Sequence, residues 1–267
     1  MDVKPDVRTD FETGGGVRVT RIAGPFDPGL LAGIAQAVDD RRGGVLSSGM
    51  EYPGRYSRWH IAYADPCVEI VARGRRIGAR ALNDRGRVLL PVIGAALQRA
   101  GTPVPDLGAP ADDLALDVAV DIAEPDRAYT EEERSRRPTV FSALREVIAA
   151  FGCDDPNLGL YGAFGYDLAF QFEPVRMRLD RPAEQRDLVL HLPDEVYVLD
   201  RKREQATRFA YEFTVGGVST EGLPRLTERT TPPTPPPLAE LPEQPKPGSY
   251  AQVVAEARER FARGDLF

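Results

Sequence analysis

Cysteine is nearly absent from this sequence. Cys67 and Cys153 are the only two in 267 residues. Neither has a second Cys or a His at ligand spacing, so the chain encodes neither a disulfide framework nor a thiolate metal site. Histidine is as scarce. His60 and His191 both lie in strand-like sequence, where a lone imidazole is more often an ordinary hydrogen-bonded side chain than a catalytic base. No run approaches the roughly 18 apolar residues of a membrane span. The opening Met1-Asp-Val-Lys-Pro-Asp-Val-Arg has no signal-peptide core, which makes a cytoplasmic chain the expectation. An excess of positive charge is missing too. A formal net charge of -7 argues against a nucleic-acid binder, whose footprint is basic. P-loop, dinucleotide glycine fingerprint, HExxH and nucleophile elbow are all lacking. The acidic pairs Asp154-Asp155 and Asp194-Glu195 come without the converging oxygens that Ca²⁺ or Mg²⁺ requires and read as turns. The residues themselves therefore offer no catalytic group and no metal ligand.

A hydrophobic content of 42% suffices for a sizeable core. Val17 to Ile22 has the period of a half-exposed strand. Asp27-Pro28 opens a helix through Leu30, Leu31, Ile34 and Val38, which Gly43-Gly44 ends, and a strand follows at Val45 to Ser48. Residues 66 to 82 read as a hairpin turning at Arg73-Gly74. Pro91 starts a short helix that Gly101 stops, and Leu114 to Ile122 alternates as a strand with one wet face. A helix over 139–151 presents Val140, Phe141, Leu144, Val147, Ile148 and Phe151. Strands are expected at Leu158 to Phe164, Asp187 to Leu192, Glu195 to Asp200 and Arg208 to Thr214. Strands outnumber helices without regular alternation. The expected class is therefore α+β, with helices flanking a large, mostly antiparallel sheet.

Nine of the 24 prolines fall between Pro224 and Pro247, a composition that supports neither a ladder nor a helix interior. We read 1–223 as one domain, 224–248 as a Pro-rich linker and 249–267 as the first helix of a further domain. Ser249 and Gln252 have capping-box spacing ahead of an apolar stripe of Tyr250, Val253, Val254, Ala257 and Phe261. A stripe of that kind needs a partner, which leads to the expectation that the chain is the N-terminal piece of a longer protein.

Two segments stand out. Leu46 to Trp59 gathers hydroxyls, glycines, arginines, two tyrosines and the only Trp at a strand end. There Ser47 and Ser48 can offer hydroxyls and main-chain N–H groups to a carboxylate, and Tyr56 or Trp59 can wall an aromatic ligand; a turn whose aromatics pack on the sheet is the plainer alternative. The second, Gly159 to Glu173, carries glycines at 159, 162 and 165 inside an aromatic strand pattern and points to close sheet packing rather than phosphate binding.

Four runs together resemble anthranilate synthase component I, a chorismate-utilising family. They are Leu-Ser-Ser…Gly-Arg-Tyr-Ser at 46–57, Gly-Ala-Phe-Gly-Tyr-Asp-Leu at 162–168, Leu-Pro-Asp-Glu-Val-Tyr-Val-Leu-Asp at 192–200 and the closing Phe-Ala-Arg-Gly-Asp-Leu-Phe. Ser47 to Tyr56 is similar to the bacterial form fused to a glutamine amidotransferase. The resemblance implies an enzyme that makes anthranilate and pyruvate from chorismate and an ammonia donor, with Mg²⁺, in tryptophan synthesis. It implies that the chorismate-binding catalytic domain and the Mg²⁺ site lie beyond this chain, and that the chain alone is inactive. It also implies that Val45-Leu46-Ser47-Ser48 stands where the family has the Leu-Leu-Glu-Ser of its tryptophan inhibitor pocket. Ser48 matches the family Ser, Ser47 replaces a Glu, and Tyr56 is a further candidate. Aminodeoxychorismate synthase shares several of these features, and a free-standing, non-catalytic amino-acid-binding module is the alternative of another class.

Overall fold

The computed structural model describes residues 6–47, 58–104, 116–124, 130, 132–133, 137–172, 178, 180–182, 185–231 and 246–266. The chain forms two compact units, Met1–Thr231 and Pro232–Phe267.

The first unit holds two sheets, antiparallel in every pairing among the described residues. One contains β1 (Val7–Glu12), β2 (Arg18–Pro25), β3 (Gly43–Ser47), β4 (Trp59–Ala64), β11 (Glu195–Asp200), β12 (Gln205–Val215) and β13 (Val218–Ser219). Its order is β1-β2-β12-β11-β4-β3, with β13 on β12. The other contains β5 (Val68–Arg73), β6 (Arg76–Ala81), β7 (Thr102–Pro103), β8 (Val118–Asp121), β9 (Tyr161–Phe164) and β10 (Leu188–Leu192), ordered β7-β8-β6-β5-β10-β9. The α+β class and the antiparallel pairing agree with the sequence reading, but the strands divide between two sheets instead of forming one. The second sheet packs against helices α2 (Asp84–Gln98) and α3 (Val140–Ala150). Ile70, Ile77, Leu188 and Leu190 of the sheet meet Leu89, Ile93, Leu97, Leu144 and Val147 in one core. The central strand β5 is buried on both faces through Ala72, which is why Val68 to Ala72 lacks the alternation of a half-wet strand.

Several expectations give way to local geometry. Gly43 and Gly44 do not close the helix α1 (Leu30–Ala37); they begin β3. Helix α2 starts seven residues before Pro91, at an Asn83 cap whose side chain accepts from Gly86 N. Pro91 is exposed, so the Arg87 carbonyl left without its intrahelical donor can turn to water, and the burial of Val88, Leu89, Ile93 and Leu97 holds the helix together. Gly86 is required where it stands, since a Cβ would lie 2.0 Å from the Cys67 carbonyl oxygen. Residues 166–171, read as strand, form a 3-10 turn with Leu168 buried. Thr139 and Ser142 make a reciprocal capping box at α3. The box expected at Ser249 does not form, because Gly248 is the N-cap of α4 (Ser249–Ala262) and Ser249 is already helical. An N-cap needs non-helical backbone to turn its side chain onto the first N–H groups.

Residues 224–231, assigned above to a linker, run along the first unit. Thr227 bonds Asp65 through its N–H and hydroxyl, and Thr230 N donates to Asp40 O.

Candidate functional site

Strand β3 is an edge strand, paired on one side with β4 in the register Gly44↔Tyr63, Leu46↔Ile61, Ser47↔His60. The Gly44 position keeps β3 close to Tyr63, since a Cβ there would stand 3.0 Å from the ring. Side chains alternate along a strand, so Leu46 and Ser47 face opposite ways. Leu46 borders an apolar cleft of about 460 Å³, within the range of small-molecule sites. Helix α3 supplies Val147, Ile148 and Phe151; β9 supplies Tyr161 and Phe164; β10 supplies Leu190. The mouth stays apolar and open, with Leu46 44%, Ile148 53% and Phe164 55% exposed. Among the described residues both flanking strands, β3 and β9, are the edges of their sheets.

On the other face of β3, Ser47 Oγ lies 2.6 Å from His60 Nδ1. His60 Nε2 is buried and has no hydrogen-bond partner among the described residues. Burial, and then the charge of Arg201, lower the His60 pKa, so the ring is neutral near pH 7. Beside it, Arg58 forms a two-pronged bond to Asp200 at 2.8 to 3.2 Å and lies 4.4 Å over the Trp59 ring.

Behind the cleft a polar network joins the two sheets. Tyr63 OH donates to Tyr161 O at 3.2 Å and lies 3.1 Å from His191 Nδ1, while His191 Nε2 lies 3.2 Å from Glu69 Oε2. Arg80 at 2.7 Å and Arg42 at 3.6 Å complete the surroundings of Glu69. Burial pushes this carboxyl up, but the His191 bond and the charges of Arg80, His191 and Arg42 outweigh it and hold the pKa at about 2. Burial first, and neighbouring groups second, raise the Tyr63 and Tyr161 phenols to about 12. Both hydroxyls therefore stay protonated near neutrality and serve as bonds, not bases.

Of the three residues named from the sequence, Ser47 is placed at the end of β3, with its hydroxyl engaged by His60 rather than aimed into the cleft. Ser48 and Tyr56 lie outside the described residues. Among the described residues no group of three or more His, Cys, Asp or Glu could hold a metal ion. The acidic pairs are occupied otherwise: Asp155 bonds Arg21 and Tyr211, Asp194 pairs with Arg85 and Arg225, and Glu195 with Arg208. No helix of the described residues is long and apolar enough to cross a membrane. Sequence reasoning missed the cleft, whose walls come from segments a hundred residues apart, and the His60 contact, which the strand register alone would have revealed.

No family model matches the sequence. Over 259 residues, 96% of the chain, it is 48% identical to an anthranilate synthase of Azospirillum brasilense. Over 251 residues, 84% of the chain, it is 28% identical to anthranilate synthase component 1 of Serratia marcescens. The chain spans 34% of the first relative and 44% of the second, less than half the length of either. The α+β architecture, the placing of Leu46 and Gly162 on one cleft, and a match over nearly every residue agree. The chain belongs with the anthranilate synthases, of which it makes up one portion.

Proposed function

We propose that this chain is the regulatory, N-terminal portion of an anthranilate synthase and that its cleft receives tryptophan. In this reading the indole lies among Leu46, Ile148 and Phe164, and the amino-acid end meets the open edge of β3. Ser47 contributes main-chain groups there, because an edge strand keeps part of its N–H and C=O groups for other partners; Ser48 and Tyr56 complete the site. The complete polypeptide converts chorismate and glutamine-derived ammonia to anthranilate and pyruvate in the cytoplasm. It does so on a chorismate-binding, Mg²⁺-dependent domain outside this chain, supplied by a glutamine amidotransferase domain. Fusion in one polypeptide is supported by the Azospirillum relative. A matched stretch of similar length makes up a smaller share of it than of the Serratia component, so it is the longer protein.

The observation that carries the reading is the 48% identity across 96% of the chain, together with an apolar cleft of amino-acid size bordered by Leu46. Supplying chorismate and glutamine to the complete polypeptide should yield anthranilate, followed by its fluorescence, and tryptophan should inhibit. Aminodeoxychorismate as the product would assign the chain to the sister enzyme. Anthranilate formation by residues 1–267 alone would refute a purely regulatory role.

A further inference from the structure

His60 is half-buried, and a single hydrogen bond, to Ser47 Oγ, is all that the described residues give its ring. Leaving Nε2 buried without a partner costs stability, so an imidazole here is not explained as filler. Two tautomers are available. With the proton on Nε2, a buried donor is orphaned. With the proton on Nδ1, the ring donates to Ser47 Oγ and Nε2 is left as a bare nitrogen without an N–H to satisfy. The second arrangement is the cheaper one. Ser47 is the last described residue of β3, and among the described residues β3 pairs with β4 alone, so an edge strand of this kind depends on few contacts to hold its position. Leu46, one residue earlier and on the opposite face, borders the cleft. Gly44, two residues before Leu46, already rests against the Tyr63 ring. Among the described residues β3 is thus held by that packing at Gly44 and by the imidazole at Ser47.

We propose that His60 is a positioning residue for the cleft: its hydrogen bond to the Ser47 hydroxyl pins β3 at Ser47 and so sets the Leu46 wall against which the ligand packs. The ligand half of this inference rests on the tryptophan reading above; the pinning half does not. His60 touches no ligand, and Ser47 acts through its hydroxyl as the other half of the pin. Asn in place of His60 can set an amide atom near the Nδ1 position and keep the bond, whereas Ala removes it.

The test uses the complete polypeptide and four variants: His60→Ala, His60→Asn, Ser47→Ala and the double His60→Ala/Ser47→Ala. Hydrogen exchange of the β3 amides, measured without ligand, should speed up at least tenfold in His60→Ala and Ser47→Ala and stay within threefold of wild type in His60→Asn. Tryptophan titrated by calorimetry should bind about tenfold more weakly to both alanine variants, near normally to His60→Asn, and no more weakly to the double variant than to either single one. Unchanged β3 exchange in His60→Ala, or losses in the two alanine variants that multiply in the double, would overturn the proposal. Loss in His60→Asn equal to that in His60→Ala would do the same, since it would leave only packing. If the wild type binds no tryptophan, the ligand reading fails, and the exchange measurement still decides the pin.

Discussion

The guanidinium of Arg85 is wholly buried and bonds the equally buried carboxylate of Asp194. It also donates to the carbonyls of Thr220 at 2.7 Å and Tyr211 at 2.8 Å and meets Glu212 at 2.9 Å. One side chain near the start of α2 thereby ties that helix to β12 and to the turn after β13. Removing one partner of a buried pair leaves the other charge unpaired, at a cost of about 3–5 kcal/mol. Arg85→Met should destabilise the chain by that amount in urea denaturation, and Asp194→Leu in the same background should restore part of the loss. A loss below about 1 kcal/mol for Arg85→Met would show that the pair is not a keystone.

The buried Glu69 carboxylate gives a pH signature. Its pKa falls from an ordinary 4.5 to about 2 in the folded chain. A depressed carboxyl contributes its full stability above the unfolded value and loses it as pH falls through the folded one. The wild type should therefore exceed Glu69→Gln by about 3 kcal/mol at pH 7. The two should converge between pH 4.5 and pH 2. Denaturation of both proteins across that range checks this; a difference that does not change with pH would contradict it.

Gly86 tests close packing where α2 meets Cys67, the residue before β5. The Cβ of an alanine would meet the Cys67 carbonyl at 2.0 Å, and neither α2 nor the start of β5 can withdraw without opening buried contacts. Gly86→Ala should cost more than about 2 kcal/mol, although alanine is ordinarily the better helix former. Thermal melting of the variant gives the answer, and a neutral or higher melting temperature would refute the packing account.

How much of this was legible beforehand depended on whether the signal was local. The hairpin at Arg73-Gly74 and strand β11 at Glu195–Asp200 were readable because turn residues and apolar period agree there. Pro91 marks a helix start in the sequence, seven residues after the true beginning of α2, because tertiary burial outweighs a proline on the wet side of the helix. The 3-10 turn at 166–171 was hidden by its aromatics, which suit a strand equally well. Ser47 was singled out as a candidate, from its place at a strand end and from the motif resemblance. His60 was not, because it meets Ser47 only through the β3–β4 register, and the cleft was not, because periodicity says which face is apolar and nothing about which distant faces meet.

Exposed apolar residues at the cleft mouth separate function from stability. Ile148 and Phe164 are each more than half exposed, so charging either should alter folding by only about 0.5 kcal/mol. Ile148→Asp and Phe164→Asp should nevertheless weaken tryptophan binding at least tenfold, as read by calorimetry alongside urea denaturation. Normal affinity in both would place the ligand elsewhere.

The central claim is that the cleft bordered by Leu46 is the amino-acid site of an anthranilate synthase. Its most direct test is calorimetric titration of tryptophan into the complete polypeptide and its Leu46→Asp variant. Saturable binding in the first and at least a tenfold weaker affinity in the second is the expected result. Equal affinity in the two proteins, or no binding to the wild type, would contradict the account.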